Sequence, residues 1–516
     1  MTAPINVLLI TADQWRADCL SALDHPVLKT PNLDALAADG VLFRNHFAQC
    51  SPCGPSRASL LTGMYLMNHR SVRNGTPLDA RFTNVALEAR KAGYDASLIG
   101  YTDTSADPRL HDPNDPALST YSGNLPGFKQ LIPGSESDAA WLQHLEAKGH
   151  ELPIDRRRIY EPAEGANAPG PTWAPARYRA EDSDTAFAVD GALRFIAQQT
   201  RPWFLHLSIL HPHPPFIAPA PYHAMYDARS VPGFRRAATP ADEAKLHPHV
   251  AYMRRHHLQR EGLDPLRHPE EECAMRQLRA TYYGLMTEVD DQLGRLVTQL
   301  KANGQYDNTL IVFTTDHGEQ LWDHWLLGKE TFFDQSFHIP LIIRAPGRRF
   351  DSGRGRIVEE FSESVDIMPT ILDLLGRAAP VQCDGFPLAP FLAGRTPRPW
   401  RQEAFWELDF RDVPSGLAET EMNIGLDECS LAVVRGRRFK YVHFTALPPL
   451  FFDLEADPAE LRNLALEREH APQILAFAQK LLSRRMAFAD RTLTGMRLTS
   501  QGVVERARVR HEVSPS

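Results

Sequence analysis

The sequence predicts an α/β fold: a large, mostly parallel sheet covered by helices on both faces, followed by a smaller α+β segment. Three observations carry this. Short runs of branched apolar residues recur along the chain, amphipathic helical patterns separate several of them, and chemically distinctive polar residues stand just beyond their ends.

The first run, residues 5–11, has the near-continuous apolar character of a strand buried on both faces, and Asp13 follows it. Thr30 then offers an N-cap, Pro31 a first helical position and Gly40 a stop. Residues 96–101, 203–209, 309–314 and 339–344 repeat the strand pattern. Between them, residues 272–303 set Met275, Leu278, Tyr282, Leu285, Val289, Leu293, Leu296 and Leu300 on one helical face. Ser364 is placed to cap a helix running to Gly376 through Pro369. Ligands of such sheets bind beyond the carboxyl ends of the strands. Asp13, Tyr101, the run from His211 through His213 to Pro215, and Asp316-His317 all fall there, so four distant segments converge on one rim.

This gives a catalytic α/β domain over residues 1–400, carrying a Pro- and Gly-rich insertion at about 105–180 that folds over the rim. Residues 401–488 read as a smaller α+β domain. Residues 489–516, with Arg and Val alternating near 503–509, read as an arm that packs on another subunit, which implies a homo-oligomer, dimer or tetramer.

Composition narrows the function. Lys plus Arg number 56 and Asp plus Glu 64, a net charge of −8, which provides no global field for nucleic acid or an anionic membrane. Six cysteines in 516 residues show no repeated spacing, so the expected compartment is reducing. The first residues carry no basic segment ahead of their short apolar run, unlike a signal peptide, and the chain reads as cytoplasmic.

Cys50 and Cys53 open the stretch Cys50-Ser51-Pro52-Cys53-Gly54-Pro55-Ser56-Arg57. Three readings are open: a redox pair with lowered thiol pKa at a helix start, half of a zinc site that lacks its second Cys-x-x-Cys, or one unit, Cys53-x-Pro55-x-Arg57. Taken as the third, and followed by Ala58-Ser59-Leu60-Leu61-Thr62-Gly63, the stretch resembles the maturation signature of the type I sulfatases and the similar phosphonate monoester hydrolases of the alkaline phosphatase superfamily. In that family the cysteine is oxidised to formylglycine by a maturation enzyme. Asp13-Gln14, Asp316-His317-Gly318, Gly328-Lys329-Glu330-Thr331 and the Phe452 to Leu464 stretch resemble further landmarks in the family's order. The Asn68 to Gly75 stretch and His213-Pro214-Pro215-Phe216 look most like the phosphonate hydrolase branch.

The resemblance implies an alkaline-phosphatase-like fold and one divalent cation surrounded by Asp13, Gln14, Asp316, His317 and the modified Cys53. Oxygen donors with one imidazole suit Mn²⁺ or Ca²⁺ better than Zn²⁺, which the set also admits. It implies that Arg57 holds the nucleophile and offsets its charge, and that Asn74, Tyr101, His213 and Lys329 contact the transferring group. Hydrated formylglycine would be the nucleophile, with His213 or Lys329 giving the leaving alcohol its proton. Asp103 departs from the family, which has Thr two residues beyond the Tyr in its phosphonate branch; an unpaired carboxylate there would repel an anionic oxygen.

Each residue also has a plainer reading: Asp13 and Asp316 as helix caps, Gln14 as a loop residue, Cys53 as an inert packed thiol, Tyr101 as a core aromatic, Lys329 as a surface lysine. The Arg254-Arg255-His256-His257 cluster reads as a solvated helical face. Shared placement on one rim favours chemistry. The expected activity is hydrolysis of small anionic esters, sulfate monoesters first, with cross-activity on phosphonate monoesters and phosphodiesters; the alternative makes the phosphonate and phosphodiester activity primary. A two-metal phosphohydrolase would need a Ser or Thr nucleophile and a second Asp/His set, and a non-catalytic scaffold would have lost part of the constellation.

Overall fold

Eight strands form the main sheet of the computed structural model, which describes residues 4–134, 138–162 and 174–506. They are β1 (Asn6–Ala12), β2 (Val41–Phe47), β3 (Ala96–Gly100), β4 (Lys129–Pro133), β5 (Phe204–Ile209), β6 (Thr309–Thr314), β7 (Leu341–Arg344) and β8 (Arg356–Glu363), in the order β4-β3-β5-β1-β6-β7-β2-β8. All neighbours pair in parallel except β7, which runs antiparallel to both β6 and β2.

The alternation of a strand divides β1 between two cores. Leu8, Ile10 and Ala12 pack with the helices Asp184–Ala197 and Glu272–Ala302, while Val7 and Leu9 pack with Leu60, Leu61, Met368 and Ile371 on the other face. Burying such a side chain fully contributes about 1.5–3 kcal/mol, so the central strands are held from both sides and their carboxyl ends make a firm base for a site.

The helix Pro31–Ala38 forms as expected, but the Thr30 hydroxyl turns to Ser21; Asp290, from the long helix, accepts from the backbone N–H groups of Asn32 and Leu33 instead. At Ser364 the chain first makes a 3₁₀ turn, Ser364–Asp366, capped reciprocally by Glu363 and Asp366, and the helix proper is Ile367–Leu374. Within the expected insertion, Lys129–Pro133 is not a covering loop: as β4 it completes the sheet edge beside β3. The Arg254 to His257 cluster is not a solvated face. His257 is buried, Arg254 donates to the Trp325 carbonyl, and Arg255 and His256 both meet Glu421.

Beyond residue 400, β9 (Ala404–Asp409), β10 (Ser430–Arg435), β11 (Phe439–Phe444) and β12 (Leu450–Asp453) make a four-stranded antiparallel sheet against the helix Ala471–Phe488. A hairpin of β13 (Met496–Thr499) and β14 (Gly502–Glu505) follows. Part of the alternating stretch near 503–509 lies outside the described residues. No helix among the described residues is long and apolar enough to cross a membrane.

Candidate active site

Asp13 and Gln14 leave the carboxyl end of β1, and Asp316 and His317 leave the neighbouring β6. Gln14 is buried with φ 68°, a left-handed conformation that costs a non-glycine residue on the order of 1–3 kcal/mol and concentrates at functional sites. Its backbone N–H donates to Asp316 Oδ1 at 3.2 Å, which locks the two strand ends together. Cys53 opens the helix Cys53–Thr62, and the Ser56 hydroxyl in its first turn donates to the Asp316 carbonyl. Gly54 beside it leaves little room for a side chain, because a Cβ there would lie 3.0 Å from the Asp103 carbonyl oxygen and 3.1 Å from Asn74 Oδ1.

Asp13, Cys53, Asp316 and His317 each offer one buried donor atom, all within 4.8 Å of one another. Cys53 Sγ is 3.1 Å from His317 Nε2, and that nitrogen is 3.8 Å from Asp13 Oδ1 and 3.7 Å from Asp316 Oδ2. His317 Nδ1 lies 3.0 Å from the Gly318 carbonyl, which can only accept, so Nδ1 carries the proton and Nε2 presents a lone pair to the cluster. Asp13 Oδ1 has no hydrogen-bond partner although it is buried. Two carboxylates, one of them with an orphaned oxygen, and an imidazole lone pair fit a hard divalent cation, while the Gln14 amide oxygen accepts from Lys329 Nζ.

Arg57 supplies the countercharge. Its Nη2 donates to Asp13 Oδ2 at 3.0 Å, its Nε to Asp316 Oδ2 at 2.9 Å, and its Nη1 to the Ser208 hydroxyl and the Tyr101 carbonyl. Burial opposes ionisation of Asp316, yet the Arg57 guanidinium, the Gln14 backbone N–H and the Lys329 ammonium hold its carboxyl well below the usual range. Arg57 therefore secures the carboxylates; the expected grip on the nucleophile itself is not among its contacts. Tyr101 is likewise turned to Asp13, donating to Oδ2 at 2.6 Å while its ring carries the Arg57 guanidinium.

Asp103 is paired. The Ser122 hydroxyl donates to its Oδ1 at 2.9 Å and Arg57 Nε stands 3.7 Å from Oδ2, while burial pushes its carboxyl up to about 7. Asn74 is exposed at the rim, where its Oδ1 accepts from the Gly54 N–H and leaves the amide N–H groups for an incoming ligand. Lys329 Nζ lies 2.8 Å from Gln14 Oε1, 3.3 Å from His213 Nε2 and 3.1 Å from Glu261 Oε2.

All the expected residues thus share one site, and the redox reading of the cysteines fails. Cys50 Sγ is 3.3 Å from the Ser59 hydroxyl, neither thiol is bonded to the other, and burial pushes both thiols up rather than down; Asp13 adds to the rise at Cys53. Three participants were not anticipated: Ser208, Glu261, and Glu319, which accepts from the Gln14 side-chain amide. Glu319 directly follows Asp316-His317-Gly318 and could have been read from that adjacency; Glu261 had no local signal.

The chain is similar to known proteins along most of its length. The family described as Sulfatase matches residues 5–377, and the family described as N-sulphoglucosamine sulphohydrolase, C-terminal, matches residues 322–487. The chain is 47% identical over 514 residues to the multifunctional alkaline phosphatase superfamily protein PehA of Trinickia caryophylli, covering 97% of this chain and 99% of that one. It superposes on the crystal structure of the phosphonate monoester hydrolase of Agrobacterium radiobacter with a TM-score of 0.94 at 47% identity, covering 98% of this chain and 100% of that one. An arylsulfatase of Clostridium perfringens is 28% identical, with 93% of this chain and 94% of that one covered.

Proposed function

Because the chain belongs to the sulfatase family, we propose that it is a formylglycine-dependent hydrolase of small anionic esters, cleaving sulfate monoesters with cross-activity on phosphonate monoesters and phosphodiesters. The observation that carries the reading is the Cys53 thiol at the mouth of a helix, 3.1 Å from His317 Nε2, inside a buried ring of two carboxylates that Arg57 bridges. A divalent cation held by Asp13, Gln14, Asp316 and His317 would lower the pKa of a bound hydroxyl and offset charge on the ester oxygens. Mn²⁺ and Ca²⁺ match the donors better than Zn²⁺.

This chain's residues supply the rest. Asn74 and Lys329 present N–H donors where negative charge builds. His213 and Lys329 stand together as the source of the leaving group's proton. The Cys53 side chain, converted to formylglycine by a maturation enzyme, would add water to give two hydroxyls: one attacks as the alcohol leaves with a proton, and loss of the other's proton expels the bound sulfate or phosphonate with return of the aldehyde.

A second reading makes phosphonate monoesters and phosphodiesters the primary substrates. The pairing of Asp103 with Ser122 and Arg57 favours it, because a carboxyl so tied no longer presents a free charge to an anionic oxygen. The six cysteines, with no repeated spacing, support a reducing, cytoplasmic setting. The exposed apolar hairpin supports assembly into a dimer or tetramer.

The decisive experiment measures the peptide mass around Cys53 across preparations and assays each on an aryl sulfate and an aryl phosphonate. Activity rising in proportion to the aldehyde fraction is the expected result, and the ratio of the two rates ranks the readings. Full activity with an unmodified thiol would overturn the mechanism.

A further inference from the structure

Lys329 is reached from behind by a residue that no part of the mechanism uses. Glu261 caps the helix Pro248–Arg260, and its side chain, 5% exposed, meets the 6% exposed side chain of Lys329. Glu261 Oε2 is 3.1 Å from Lys329 Nζ, and Oε1 accepts from the Lys329 backbone N–H at 3.3 Å. Gly328 makes this approach possible: its φ is +91°, and a Cβ there would stand 2.2 Å from Glu261 Oε1.

The neighbouring residues repeat the arrangement with charges reversed. Arg260 Nε donates to Glu330 Oε2 at 2.6 Å, and Arg73 Nη2 lies 2.6 Å from Glu330 Oε1. Arg260-Glu261 thus faces Glu330-Lys329 as two adjacent ion pairs, and Arg73 ties the loop that carries Asn74 to the same point. Glu261, Gln14 and His213 surround the lysine ammonium. A long flexible ammonium would otherwise sample many rotamers, and burying it without a countercharge is unfavourable.

We propose that Glu261 is a positioning residue: it fixes the Lys329 ammonium at the Gln14 and His213 side of the site, and acts on the reaction only through Lys329. This rests on the reading above that Lys329 serves the reaction.

The test is a cycle of Glu261→Gln, Lys329→Ala and the double variant in the mature, metal-loaded enzyme, with formylglycine content matched by peptide mass, and kcat and KM measured on one aryl ester. Expected is a drop of about tenfold or more in kcat for Glu261→Gln with little change in KM, partial retention of activity in Glu261→Asp, and a double variant no worse than Lys329→Ala. Losses that multiply in the double variant would assign Glu261 an independent structural role and overturn the proposal, as would a Glu261→Gln enzyme with native kcat beside a crippled Lys329→Ala. Native activity in Lys329→Ala would instead overturn the reading of the lysine. Should Glu261→Gln fail to fold, Glu261→Asp takes its place in the same cycle.

Discussion

Lys329 Nζ stands 3.3 Å from His213 Nε2, and the other ring nitrogen of His213 lies 2.6 Å from the Pro214 carbonyl oxygen. A carbonyl only accepts, so His213 Nδ1 holds the ring proton and Nε2 accepts from the ammonium. Burial, and then the charge of Lys329, press the imidazole down to about 4. The proton available to a departing alcohol at neutral pH is therefore on Lys329.

From this follows an asymmetry between two variants. Lys329→Ala should lower kcat by about 10²–10⁴-fold on esters with poor leaving groups and by much less on activated aryl esters, which leave without a proton. His213→Asn, which keeps an acceptor beside the lysine, should show a weaker dependence on the leaving group. Plotting log kcat against leaving-group pKa for both variants checks it; equal slopes would return the proton to His213.

Removing Arg57 should separate its electrostatic role from the cation's. In Arg57→Ala, Asp13 and Asp316 lose their shared partner and face each other across a buried site. The chelated protein should then lose about 3–5 kcal/mol of stability. Added Mn²⁺ or Ca²⁺ should restore more melting temperature to the variant than to the native protein. Thermal unfolding with and without chelator, beside metal analysis giving one ion per chain, is the measurement. Two ions per chain would point back to a two-metal hydrolase.

What the sequence made legible depended on burial. Central strands such as β1, β5 and β6 are apolar on both faces and announce themselves, and so do the polar residues placed at their ends. β8 alternates around Glu359 and Glu360 at an edge, β2 is interrupted by Arg44 and Asn45, and β4 is exposed at the opposite edge, so their patterns merge with loops. Side-chain direction was less legible than position. Asp13, Cys53, Asp316 and His317 converge because strand and helix ends do, whereas the turn of Tyr101 and Arg57 toward the carboxylates is set by tertiary contacts. Glu261 was invisible for the same reason: its partner lies 68 residues away.

Asp103 ties stability to pH with an unusual sign. Its carboxyl is raised to about 7 by burial, so the folded protein binds this proton more tightly than the unfolded chain does. Its contribution is present below the ordinary aspartate range and is lost as pH rises toward about 7. Asp103→Asn should therefore flatten the fall in stability across that window and stabilise the protein above it, by on the order of a few kcal/mol. Denaturant unfolding at pH 5 and pH 8 checks this, and a variant less stable than the native protein at pH 8 would show that the Ser122 and Arg57 pairing outweighs burial.

The β13–β14 hairpin leads to the last expectation. Leu493, Leu498, Val503 and Val504 are exposed on it or beside it, and a lone two-stranded hairpin is marginal in water without a surface to cover its apolar side chains. Arg491, which donates to Asp384, marks where the chain leaves the body of the protein. A second copy of the chain is the cover we propose, so a protein ending at Thr492 should sediment as a smaller species than the full chain while keeping its far-ultraviolet circular dichroism. An unchanged sedimentation coefficient per unit mass, with the same oligomer size, would place the subunit contact elsewhere.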